Sequence, residues 1–192
     1  MKNLLLSIVL VACLVAGANA HSGMLALFSD TENHDCHAAL GIGQTGNLYL
    51  MYVRGDGPPM GKAYEFRLLK STSQAAFLTP VWPTIVPPLG NLETGITLTS
   101  PGCFQDEAYV PLGTIPILNF ADPDTFTVKV AEDPSAIPVP MVLITKCDNY
   151  NSIYYILGGT FVFNADCHAP EDPYGVLAVK ETSWGAIKEL YR

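Results

Sequence analysis

Residues 63–69 read Ala-Tyr-Glu-Phe-Arg-Leu-Leu, so that Tyr64, Phe66 and Leu68 alternate with Glu65 and Arg67. A period of two is the side-chain spacing of an extended strand, and it gives this segment one dry and one wet face. The alternation returns at 125–130, where Phe126, Val128 and Val130 oppose Thr127 and Lys129, and at 96–99. Shorter β-prone runs occupy 24–28, 48–53, 141–145, 153–157, 160–163 and 176–180. About nine short strands separated by Gly, Pro, Asn and Asp predict an all-β, antiparallel β-sandwich. The 15 prolines argue against interior helices, because proline lacks the helix donor. The Pro80–Pro88 stretch predicts a stiff crossing between the two sheets. Gly158-Gly159 predicts a two-residue hairpin turn.

The last segment has a different period. Ser183 is placed to cap a short amphipathic helix over 183–192, with Trp184, Ile187, Leu190 and Tyr191 on one stripe. A helix this short needs something to dock against. Its own sandwich is the simplest candidate, and a partner-binding tail is the alternative.

The other end reads as an export signal. Met1-Lys2-Asn3 supplies one positive charge, an apolar run follows to Val15, and Ala18-x-Ala20 is a signal-peptidase pattern. Residues 1–20 are therefore expected to be a removable leader, and 21–192 a single domain in the periplasm or outside the cell. The apolar run is shorter than the roughly 20 residues of a permanent membrane helix, and no span is predicted elsewhere. Leu10-Val11-Ala12-Cys13 also fits a lipobox, which would make Cys13 a lipid anchor. The apolar residues after Cys13 favour soluble export. With 10 Lys and Arg against 18 Asp and Glu, the chain is acidic. That argues against nucleic-acid and anionic-membrane partners, which need clustered cations.

Four cysteines remain after the leader: Cys36, Cys103, Cys147 and Cys167. In an exported chain they read as two disulfides, for which three pairings exist. The preferred expectation pairs Cys147 with Cys167, which bracket the expected 153–163 hairpin, and Cys36 with Cys103.

The chain resembles a group of secreted bacterial β-sandwich proteins. The resemblance rests on Leu27-Phe28-Ser29-Asp30 followed by a Cys, the Lys146-Cys147-Asp148 strand end, the Gly-Gly-Thr segment, and the ending Trp184-Gly185-Ala186-Ile187-Lys188-Glu189-Leu190-Tyr191-Arg192. It implies export and a sandwich, and it transfers no catalytic residue. The 63–68 strand is also similar in pattern to cohesin-like, immunoglobulin-type sandwiches.

Candidate chemistry is sparse. Cleavage after Ala20 would expose His21, whose α-amine and imidazole can chelate copper; His34, His37 or His168 would complete a histidine brace of the kind used in oxidative attack on polysaccharide. His34, His37 and His168 also flank cysteines, but an oxidised cysteine is not a thiolate ligand. Asp30, Glu32 and Asp35, or Asp122 and Asp124, offer oxygens to calcium, although turn carboxylates are commoner. Arg54-Gly55-Asp56 is an adhesion tripeptide set among turn residues. Trp82 either offers a flat face to a sugar or plugs the sandwich end. No metal or cofactor is required by this pattern. The expectation is a non-enzymatic module with a protein or carbohydrate partner, and the copper enzyme is the alternative.

Overall fold

The computed structural model describes residues 23–54, 61–83, 86–100, 102–103, 108–121, 125–134, 142–147 and 153–167. Twelve strands are present among them: β1 Met24–Phe28, β2 His37–Ala38, β3 Thr45–Val53, β4 Gly61–Lys70, β5 Ala75–Phe77, β6 Leu89–Asn91, β7 Gly95–Thr99, β8 Tyr109–Asn119, β9 Phe126–Ala131, β10 Val142–Lys146, β11 Ile153–Gly158 and β12 Thr160–Phe163. No helix occurs among the described residues. Hence no helix there is long and apolar enough to cross a membrane. The run at 176–180 and the expected helix at 183–192 lie outside the described residues, as does the 1–20 leader.

Hydrogen bonding runs in the order β2-β12-β9-β4-β10-β11-β1-β3-β8-β5, with β7 on β4 and β6 on β7. β4 pairs with β10 along its first half and with β9 along its second. The inner faces meet in one core, to which β4 contributes Tyr64, Phe66 and Leu68 and β9 contributes Phe126, Val128 and Val130. These are the residues that the period of two places inward. Among the large core side chains, Phe161 and Phe163 of β12 are almost fully buried.

β8, the longest strand at 11 residues, is not predicted by the sequence pattern. Pro111, Gly113 and Pro116 interrupt it, and proline normally breaks a ladder. Leu78 donates its N–H to the Pro116 carbonyl at 2.8 Å, so this residue's backbone polar groups face the β5 side. There the neighbouring chain bulges between Leu78 and Val81, and no donor is needed. The register of β3 on β8 also shifts at Leu50/Met51, beside Pro111 and Gly113. β2, β5 and β6 have at most three residues each, too short to show a period.

The Gly158-Gly159 hairpin is not formed. β11 pairs with β10 and, in parallel, with β1. β12 instead pairs with β9 and β2. The two glycines carry the chain between these partners. Gly159 donates to the Leu25 carbonyl at 2.7 Å and accepts from the Val130 amide at 2.9 Å. A methyl on Gly158 would overlap the Val130 carbonyl, and one on Gly159 would press on Ala26. Both positions are glycine because two strands close in on them.

The disulfides are Cys36–Cys167 and Cys103–Cys147, each with Cα atoms 6.0 Å apart. The expected pairing is therefore incorrect, for the same topological reason. β12 runs beside β2, and Val162 donates to the Cys36 carbonyl, which brings Cys167 to Cys36. β7 and β10 both flank β4, so Cys103 and Cys147, just past their ends, meet near Gly61.

Candidate functional site

Three regions hold the residues that the sequence singles out. The first is the cystine at the β2–β12 edge. His37 Nδ1 lies 3.4 Å from Cys167 Sγ, and its Nε2 is 3.9 Å from Asp166 Oδ1. The ligand atoms of Cys36, His37 and Cys167 all lie within 4.8 Å of one another. The two sulfurs, however, are joined, and a cystine sulfur carries no thiolate charge to hold a cation. His34 takes a different position. It adopts φ of 60° and stacks on Tyr109, with ring centroids 3.8 Å apart, while meeting Phe28 edge-on at 5.2 Å. His34 and His37 thus serve separate neighbours. His21 and His168, the other members of the expected copper set, lie outside the described residues.

The second region is the acidic loop after β1. Asp30 accepts hydrogen bonds from the amides of Glu32 at 2.8 Å, His34 at 3.2 Å and Asp35 at 3.4 Å, and also from Asn33. Desolvation pushes its carboxyl up, but these four amide bonds outweigh it and hold the pKa below the ordinary value. Its oxygens are engaged in shaping the loop. Asp122 and Asp124 lie outside the described residues, as do Gly55 and Asp56 of the adhesion tripeptide.

The third region is a groove of about 670 Å³ at one end of the sandwich. Its walls come from two edges. On one side the chain continues from β5 along β8: Phe77 pairs with Ile117, Leu78 donates to Pro116, and Val81 forms a two-way bridge with Thr114 at 2.8 and 2.9 Å. On the other side stand β6, the Leu92–Thr94 turn and the start of β7. The proline segment does connect an edge beside β8 to an edge beside β4, as its composition predicts.

Trp82 lines this groove and also packs against the core. A methyl on Gly113 would overlap its ring carbons Cε3 and Cζ3, so the indole rests on bare β8 backbone. The two sequence readings of Trp82, platform and plug, are both met by this one position. Lys70 and Glu93 form an ion pair of 2.6 Å, with side chains 14% and 58% exposed. The Lys70 ammonium also sits 4.7 Å from the Phe77 ring centroid. Asn91 Oδ1 accepts the amides of Glu93 and Thr94 and so fixes the turn. Sequence reasoning misses Lys70, Phe77 and Glu93, because their meeting depends on the edge strands it also misses. At the rim, Val81 is 66% and Leu89 72% exposed. Trp184, Ile187, Leu190 and Tyr191, the expected interaction stripe, lie outside the described residues.

No protein-family model matches the sequence, and no curated protein matches it either. Solved structures do share the architecture. A cohesin module from a Clostridium perfringens family 33 glycoside hydrolase superposes with a TM-score of 0.55 at 9% identity, over 76% of this chain and 98% of that one. A complex of a CaDoc0917 variant with CaCohA2 gives 0.52 at 11% identity, over 73% and 97%. A third ScaB cohesin of R. flavefaciens, in complex with a group 1 dockerin, gives 0.48 at 11% identity, over 73% and 91%. At such identities the likeness concerns the fold, and the chain has a cohesin-like β-sandwich.

Proposed function

We propose that this chain is an exported, non-enzymatic binding module that holds another molecule at the groove between β5 and β6. The observation that carries the reading is the rim. Val81 and Leu89 stand exposed on either side of a hollow that already contains an aromatic wall and an ion pair. Large apolar side chains grouped around a concavity mark an interaction site, whereas scattered ones need no explanation. Two further facts support it. Two cystines suit a protein that works in an oxidising compartment. The sandwich is also the one found in a module of a larger enzyme and in a Doc–Coh complex.

The test uses Val81→Asp combined with Leu89→Asp. Both side chains are exposed, so the variant is expected to melt within a few degrees of the parent. On size-exclusion of freshly exported protein, the parent should elute with its bound partner and the variant as the free chain. Ile42→Asp, an exposed apolar position on the turn before β3, serves as the control and should behave as the parent. A double variant that still carries the partner would place the binding surface elsewhere.

A further inference from the structure

Resting on that binding reading, we infer that the molecule received by the groove is a neutral carbohydrate chain. The inference comes from how the groove's groups are prepared. Trp82 is held on one side by the bare backbone at Gly113 and by the core, so it offers the groove a fixed flat surface. A rigid indole suits the C–H face of a sugar ring, which is apolar, planar in outline and otherwise poorly served by polar walls.

The second component is the ion pair. Lys70 Nζ is tied to Glu93 and to the Phe77 ring, so its position is set before any ligand arrives. Together the pair provides donors and an acceptor with no net charge. A hydroxyl can donate to Glu93 and accept from Lys70 at the same time, and sugar hydroxyls do both. A charged ligand gains nothing from a neutralised pair, and an anionic one is further opposed by a chain of formal charge −8. Thr94 adds a hydroxyl on the turn that Asn91 fixes. Apolar platform, paired polar groups and neutrality together describe a polyol ligand better than a peptide or a polyanion.

The test is affinity electrophoresis of the purified full-length exported chain through gels containing hydroxyethylcellulose, xylan, galactomannan or a β-1,3-glucan. At least one polymer should retard the parent. Trp82→Ala should weaken that retardation by about tenfold, the size of a lost aromatic contact. Glu93→Gln, at an exposed position that leaves the fold intact, should weaken it severalfold. Raising NaCl from about 0.05 to about 0.5 M should change it by less than about twofold, since no net charge is neutralised on binding. Should Trp82→Ala fail to fold, Glu93→Gln and Lys70→Met decide. The inference is overturned if no polymer retards the parent, or if retardation survives both the Trp82 and Glu93 changes. A protein partner lost from the Val81/Leu89 variant, with no retardation in any gel, would keep the groove as the binding site and remove the carbohydrate assignment.

Discussion

Gly158 and Val130 are backbone neighbours across two strands: the α-carbon of one faces the carbonyl oxygen of the other, with no room for a methyl between them. The contact marks where the chain leaves β1 and β10 and joins β9 and β2. Gly158→Ala should therefore destabilise the domain by about 1–3 kcal/mol through overpacking. Gly158→Asn separates this account from a hairpin turn. Asparagine tolerates turn conformations, so a turn would accept it, whereas the close approach makes it at least as damaging as alanine. Urea midpoints of the two variants provide the comparison.

The Cys36–Cys167 cystine spans 131 residues and joins the segment before β2 to the one after β12. Replacing both cysteines by serine should cost about 2–5 kcal/mol, because a long loop is released in the unfolded chain. Replacing Cys103 and Cys147, separated by 44 residues, should cost somewhat less. Thermal melts under non-reducing conditions measure both. Equal or reversed losses would show that native-state packing around the cystines, and not loop length, sets their contribution.

How far the sequence is legible follows from these elements. The period of two at 63–69 and 125–130 places Tyr64, Phe66, Leu68, Phe126, Val128 and Val130 in the core, because a half-buried strand must show it. Pairing is a different matter. Alternation along β11 and β12 says nothing about which strands flank them, so a glycine pair needed for close approach looks like a turn. The cystine expectation fails with it, since it assumes that the hairpin exists. β8 is hidden by prolines whose missing donors fall where none is needed. The groove is hidden for the same reason: its walls are edge segments without a period, and only Trp82 stands out from the sequence alone.

Asp30 carries a pH prediction. Its folded pKa is depressed, so its contribution to stability is present above its unfolded value, near 4, and is lost as pH falls through the lower folded value. Asp30→Asn should lower the urea midpoint at pH 7, and the difference should shrink as both proteins are taken down toward about pH 2. Glu65 acts in the opposite sense. Burial and then the Asp133 carboxylate raise its pKa, so its contribution is present at low pH and lost as pH rises. The Asp30 variant isolates the first effect from the second.

Gly113→Ala tests the seat of Trp82. The added methyl meets the indole, which must shift toward the groove. With Trp184→Phe as background, Trp82 is the one remaining tryptophan. Its emission should move to longer wavelength in the alanine variant, and ligand binding should weaken with it. Unchanged emission would mean that the indole does not rest on β8.

The most direct measurement places a benzophenone amino acid at position 89, and separately at the exposed Lys129 on β9, in cells that export the chain. The excited ketone inserts into C–H bonds of protein and sugar alike, so it reports contact whatever the ligand is. Recognition at the groove predicts a discrete adduct from position 89 and none from position 129. An adduct from position 129 with none from position 89 would contradict it.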